Sequence, residues 1–233
     1  QLMNQIAKFR YMFGGNVITP VTIRTMIGAG AGTGPQHSQI LYPLLVSIPG
    51  IKVVAPSNAY DAKGLLTQAI RDDDPVVFCE HKAIYDELAE VPDEEFVIPF
   101  GEARKVCEGN DVTIVAFSRM VLFAEQAAKK LSSEGISVEV IDPRTLSPLD
   151  DKSIIESVKK TGKLLIVDEA NPYCSMASEV SSVVAEKAFY ALKAPIRKIT
   201  SPHTPVPASP TLEAFYVPSV SQIEDLAREL SNY

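Results

Sequence analysis

The sequence predicts an α/β protein made of two parallel-sheet units, and three observations predict it. Short runs rich in β-branched residues alternate with helical segments of about 10–15 residues, the rhythm of repeated βαβ units. Hydrophobic residues are 46% and charged residues 22% of the 233, a globular balance able to bury a core. Between the halves, residues 86–104 gain charge at Asp93-Glu94-Glu95 and are punctuated by Pro92, Pro99 and Gly101. This divides the chain into a first unit at 1–95, a linker at 96–108 and a second unit at 109–233.

The first unit opens with Leu2, Ile6, Phe9 and Phe13 at helical spacing. No capping residue precedes Gln1, so the sequence is expected to begin inside a helix, with its natural N-terminus upstream. Gly14-Gly15-Asn16 stops that helix. Pro20–Met26 reads as a strand, followed by a glycine-rich loop (Gly28, Gly30, Gly32, Gly34) and Pro35-Gln36-His37-Ser38-Gln39. A short helix at 40–48, a strand at 52–56, a helix at 60–71 capped by Ser57 or Asn58, and a strand at 75–80 complete the unit.

The second unit repeats the pattern. Strands are predicted at 112–117, 138–142, 163–168 and 196–200. Helices are predicted at 120–133, 150–160, 176–192 and 221–230, with Gly135 and Gly162 as stops for the first two.

Composition narrows the function. Lys plus Arg is 22 against 29 Asp plus Glu, a formal charge of −7. That argues against broad nucleic-acid binding, which needs a basic footprint, while leaving room for a local basic patch. The three cysteines, Cys79, Cys107 and Cys174, lack zinc spacing and make a poor disulfide set, so a reducing compartment is expected. No apolar run approaches the ~18 residues of a membrane span, and no signal peptide opens the chain. A cytoplasmic location is expected, or the mitochondrial matrix in a eukaryote.

The glycine stretch matches neither G-x-G-x-x-G nor a P-loop. It is either a flexible backbone that lets a ligand or another chain come close, or an ordinary strand-to-helix loop. His37 follows it, at the edge where parallel sheets bind ligands. It is a candidate acid or base, with a surface or structural role as the alternative. His81, between Glu80 and Lys82, reads as an exposed edge residue, and His203 as part of a rigid loop. Asp72-Asp73-Asp74 crowds the negative end of a helix, which requires solvation or a cation. There is no Cys/His cluster for a transition metal and no G-x-S-x-G nucleophile elbow.

Several segments together resemble the beta subunit of the thiamine diphosphate-dependent first component of 2-oxo acid dehydrogenase complexes. They are Gln5–Gly15, Pro35–Gln39, Pro49–Val54, Asp61–Leu66, Ala69–Val76, Val138–Leu146 and Lys160–Leu164. They follow the family's order across nearly the whole chain. Arg10–Gly15 and Pro20–Met26 look most like the acetoin dehydrogenase members, with the pyruvate dehydrogenase members close behind.

The resemblance implies a transketolase-like pyrimidine-binding domain, incomplete at its start, followed by a transketolase C-terminal domain. It implies oxidoreductase chemistry in which a carbon–carbon bond is cleaved at thiamine diphosphate and the acyl group passes to lipoamide. The implied partners are an alpha subunit holding the cofactor diphosphate through magnesium, a second beta subunit, and a lipoyl-bearing acyltransferase core, in a heterotetramer. No nucleic acid or membrane is implied. The glutamate that activates the cofactor is expected upstream of Gln1, so the chain alone is expected to be inactive.

By the same resemblance His37 is the active-site residue, and Val21, Thr22, Ala69, Asp72 and Asp74 are potassium ligands. Asp74 stands where relatives often carry asparagine. Asn171–Met176 and His203 also depart from the family pattern, which bears on assembly and subfamily. The other readings are a transketolase-like carbon–carbon transfer subunit and a non-catalytic assembly module.

Overall fold

Nine strands and eight α-helices alternate along the computed structural model, which describes residues 1–233. In the first half these are α1 (Phe9–Met12), β1 (Thr22–Ile27), α2 (Tyr42–Val46), β2 (Lys52–Val54), α3 (Ala59–Arg71) and β3 (Val76–His81). The second half holds β4 (Arg104–Cys107), β5 (Val112–Ala116), α4 (Arg119–Ser133), β6 (Val138–Asp142), β7 (Thr145–Ser147) and α5 (Asp151–Thr161). It continues through β8 (Leu164–Asp168), α6 (Met176–Ala188), β9 (Arg197–Thr200), α7 (Pro210–Tyr216) and α8 (Val220–Ser231).

The second sheet has the order β4-β6-β5-β8-β9 and is parallel except for its edge strand β4. Every residue of β5, β6 and β8 is buried, as expected of central parallel strands covered on both faces. Four of the helices begin where the sequence supplies a side-chain acceptor for their first N–H groups. Asn58 caps α3, Asp150 caps α5, Ser175 caps α6, and Ser219 with Gln222 forms a capping box on α8. Gly162, at φ 76°, ends α5 in the left-handed conformation.

The first sheet has the order β1-β3-β2-β7. Its first three strands are parallel. The fourth returns from the second half and pairs antiparallel with β2. One hydrophobic core runs through both halves, joining Ile27, Tyr42, Val53 and Cys79 to Val115, Ile141, Ile154 and Val180. A buried charge cluster crosses the same boundary: Asp61 lies 2.9 Å from Arg144 and 3.2 Å from Arg104, and Ser57 donates to Asp142 at 2.6 Å. Burial pushes the Asp142 carboxyl above its ordinary range. The two halves are thus clamped together by packing and by charge.

Five findings depart from the sequence expectations, the first being that Thr145–Ser147, inside the stretch assigned to the second unit, forms a strand of the first sheet. The opening segment is not one continuous helix: Leu2–Ile6 forms a π turn, and only Phe9–Met12 is α-helical. Leu2, Ile6 and Phe9 are half-buried and Phe13 is exposed, so the apolar stripe has little to bury against. Within the stretch 96–108, Arg104–Cys107 forms β4. Helix α7 follows the proline-rich stretch 202–210 and was not expected. His81 is buried, not exposed, because the end of β3 abuts the second half while Glu80 and Lys82 alternate away from it.

Candidate active site

The parallel strands β1 and β3 end side by side, with Ile27 paired to His81. The glycine loop leaves from this point. Gly28 has φ +91°, and a Cβ there would stand 2.0 Å from His81 Nε2. Only glycine lets the chain turn this closely over the imidazole. Gly30, Gly32 and Gly34 are also left-handed, at φ +105°, +63° and +74°. Four such residues in seven make the loop's path a property of its glycines.

His37 lies beyond this loop, exposed, and no hydrogen bond within the chain reaches its ring. The main chain around it is held firmly. Lys82 Nζ donates to the His37 carbonyl at 2.5 Å and to Thr33 Oγ1 at 2.7 Å, and Thr33 Oγ1 lies 2.9 Å from Ser38 Oγ. A held backbone with a free imidazole suits a group that must meet a ligand and exchange a proton with it.

The second half supplies the loop's floor. Glu169 is buried at the end of β8. Its Oε1 accepts from Ala29 N at 2.7 Å and its Oε2 lies 2.8 Å from His81 Nε2. His81 Nδ1 accepts from Ala83 N at 3.2 Å, which leaves Nε2 as the protonated ring nitrogen that donates to Glu169. Glu213 of α7, also buried, accepts from Gly32 N at 3.0 Å. On the far side of His37, Tyr42 Oη donates to Asp168 Oδ1. Burial pushes the Asp168 carboxyl up to about 6 and the Tyr42 hydroxyl well above its ordinary value. Burial likewise pushes the Cys79 thiol up to about 12, which makes it inert as a nucleophile near neutral pH.

A cleft of about 410 Å³ opens beside the loop between the two halves. Gln36 and Gln39 line one wall, and Asn171, His203 and Tyr216 line the other. His203 is exposed and packs edge-on against Tyr173, with centroids 4.6 Å apart.

The five residues expected to bind potassium converge at the opposite end of the first sheet, where β1 begins and α3 stops. Their oxygens already have partners. Lys52 Nζ lies 2.6 Å from Asp72 Oδ1 and 3.3 Å from Asp74 Oδ2, and Arg10 lies 3.0 Å from Asp74 Oδ1. Thr22 Oγ1 donates to the Ala69 carbonyl at 2.9 Å, and Val76 N donates to the Val21 carbonyl at 3.0 Å. Lysine and arginine therefore supply the counter-charge that the crowded acids require. A potassium ion here would compete with Lys52 for the carboxylates and with the Thr22 hydroxyl for the Ala69 carbonyl. No group of three or more His, Cys, Asp or Glu side chains is arranged to hold a metal ion.

Sequence reasoning placed His37 at the end of the glycine loop. It missed His81, Glu169 and Glu213, whose partners lie 88, 140 and 181 residues away along the chain. The one local signal was the apolar run Leu164–Val167 leading into Asp168-Glu169. Acids at the C-terminal end of a buried parallel strand point to a ligand-facing or loop-holding role.

Comparison with known proteins agrees with this architecture. The transketolase pyrimidine-binding domain matches residues 1–87, and the transketolase C-terminal domain matches residues 101–223. The acetoin:2,6-dichlorophenolindophenol oxidoreductase beta subunit of Cupriavidus necator is 57% identical over 98% of this chain and 68% of its own length. Its counterpart in Bacillus subtilis is 54% identical, over 99% and 67%. A mitochondrial pyruvate dehydrogenase E1 beta subunit of Arabidopsis thaliana is 45% identical, over 97% and 63%. The chain thus spans roughly two thirds of the length of these relatives. Among solved structures, a split-gene transketolase described as an inactive beta4 tetramer superposes with a TM-score of 0.79. It is 24% identical, over 99% of this chain and 71% of that one, and bears on the fold alone. With both domains matched in order and these relatives covered to two thirds of their length, the chain belongs to the family of beta subunits of thiamine diphosphate-dependent acetoin and 2-oxo acid dehydrogenases.

Proposed function

We propose that this chain is the beta subunit of an acetoin dehydrogenase, which cleaves a carbon–carbon bond and passes the acyl group to an acceptor. The observation that carries the substrate is the grading of identity. It is 57% and 54% to acetoin-oxidising relatives, against 45% and 40% to relatives named for pyruvate and 2-oxoisovalerate.

Thiamine diphosphate, when bound, supplies a carbon nucleophile and an electron sink. The residues present fit one wall of such a site: an open glycine loop at the carboxyl edge of parallel strands, and an imidazole free at both nitrogens. His37 would donate a proton from a ring nitrogen to the oxygen of the bound substrate and take it back as the acyl group leaves. Lys82, through the His37 carbonyl, would hold the main chain from which that ring projects. The second half shields the floor of the loop from water through Glu169 and Glu213.

The alpha subunit would hold the diphosphate through magnesium and close the opposite wall. A second beta subunit would complete the heterotetramer, and a lipoyl-bearing acyltransferase core would receive the acyl group. Tyr11, Met12 and Phe13 are exposed at 91%, 66% and 52%, an apolar surface suited to subunit contact. Potassium at Val21, Thr22, Ala69, Asp72 and Asp74 would take the place of Lys52. The compartment would be the cytoplasm or the mitochondrial matrix.

The test is a substrate series with the assembled alpha–beta enzyme, following thiamine-dependent reduction of dichlorophenolindophenol. The expected result is kcat/KM for acetoin at least about tenfold above that for pyruvate and branched 2-oxo acids, a difference of about 1.4 kcal/mol at the transition state. Preference for a 2-oxo acid would move the chain to that subfamily. Turnover of sugar phosphates without an oxidant would favour the transketolase-like reading, and a stable complex inactive with every substrate would favour the assembly module.

A further inference from the structure

We propose that Glu213, together with Glu169, is a positioning residue for His37: two buried carboxylates of the second domain set the path of the catalytic loop in the first. The inference rests on the reading of His37 given above and extends it across the domain boundary.

Between Ile27 and Tyr42 the chain crosses from β1 to α2 without regular structure. It is tied to the second domain at three places. Ala29 N donates to Glu169 Oε1 at 2.7 Å, Gly32 N donates to Glu213 Oε2 at 3.0 Å, and Tyr42 Oη donates to Asp168 Oδ1. Two of these ties precede His37 and one follows it. The Glu213 tie lies five residues before His37, as close along the chain as the Tyr42 tie that follows it, and acts on a left-handed glycine, where a small rotation would redirect the following residues. Ala208, just before α7, lies within 3.5–3.6 Å of the positions a Cβ would take at Gly34 and Gly32. Ala208 and Glu213, at the two ends of this segment, together bound the loop's path.

Stability alone does not account for this carboxylate. Glu213 is only 4% exposed. One oxygen meets a single main-chain N–H, and the other, Oε1, has no hydrogen-bond partner. A buried carboxyl group supported so thinly costs more in desolvation than it returns. Such a cost is expected where the gain is geometry. Glu169 is better supported, by Ala29 N and by His81, with Arg119 Nη1 4.0 Å away. It anchors the loop's start and Glu213 its middle.

A displacement of about 1 Å in a reacting group can cost as much as a hundredfold in rate, so the effect should appear in kcat. The experiment is a double-mutant cycle in the assembled alpha–beta enzyme. It compares wild type, Glu213→Ala, Glu213→Gln, His37→Ala and the Glu213→Ala/His37→Ala pair by thiamine-dependent dye reduction. Glu213→Ala is expected to lower kcat at least about tenfold with KM changed by less than about twofold. Glu213→Gln, which keeps an acceptor oxygen for Gly32 N, should restore kcat to within about threefold of wild type. In the His37→Ala background, Glu213→Ala should change nothing further.

A wild-type kcat in Glu213→Ala beside a crippled His37→Ala overturns the proposal and leaves the reading of His37 intact. An equal loss in both backgrounds also overturns it, because Glu213 would then act elsewhere. A wild-type kcat in His37→Ala overturns the reading of His37 itself. If Glu213→Ala does not assemble, Glu213→Asp takes its place with the same expectations, since it withdraws the carboxylate from Gly32 N by one methylene.

Discussion

Gly28→Ala is expected to destabilise the protein by about 4 kcal/mol or more, among the largest effects of a single methyl group. Two costs add. Residue 28 sits at φ +91°, where a side chain is strained by about 1–2 kcal/mol. The new Cβ would also stand 2.0 Å from His81 Nε2 and 2.4 Å from two ring carbons. The imidazole cannot yield cheaply, because Ala83 N holds one ring nitrogen and Glu169 the other. Displacing it would leave the buried Glu169 short of a partner, and an unsatisfied buried acceptor costs about 1–3 kcal/mol, more where it is charged. In a domain of this size the thermal midpoint should fall by about 10 °C. Gly135→Ala is the control: φ is +83°, and nothing lies within 4 Å of its Cβ. That variant should lose only the backbone strain. Equal midpoints for the two variants would show that the His81–Glu169 contact is not the rigid anchor described here.

His37→Ala should have the opposite signature, with folding untouched and turnover nearly lost. The ring is exposed and bonded to nothing in the chain, and the contact with Lys82 is made by the main chain. The thermal midpoint of the complex should stay within about 1–2 °C, as for most surface substitutions. A positioned acid–base group contributes about 10²–10⁴-fold, so kcat should fall by that factor, or about 3–5 kcal/mol of barrier. KM should move little if the imidazole acts mainly in the transition state. Steady-state rates with saturating acetoin and thiamine diphosphate measure this directly. A fall in kcat of less than about threefold would remove His37 from the proton-transfer role.

Much of this fold is legible in the sequence because its central strands are buried on both faces. The stretches 112–117 and 163–168 read as strands from composition alone and became β5 and β8, and Asn58, one of the two caps expected for the helix at 60–71, starts α3. What was not legible depends on distant partners. Strand β7 is three residues long and exists because β2 lies beside it. Strand β4 forms through pairing with β6, from a stretch that reads as a linker. The burial of His81 follows from Glu169, far along the chain, while its immediate neighbours are charged.

The candidate site divides in the same way. The position of His37 follows from a strand, a glycine loop and the edge rule for parallel sheets. The carboxylates beneath the loop follow from the packing of one domain on the other, which no local pattern encodes. At Asp72 and Asp74 the sequence announced a need for solvation or a cation, but not that Lys52 and Arg10 would meet it.

As a beta subunit, this chain would supply one wall of a thiamine-dependent centre that an alpha subunit completes. The most direct measurement follows dye reduction with acetoin and thiamine diphosphate by the alpha chain alone, by the beta chain alone, and by the two mixed. Activity is expected only in the mixture, rising to a plateau at a one-to-one ratio and absent without the cofactor. Full turnover by either chain alone, or turnover indifferent to thiamine diphosphate, would contradict this role.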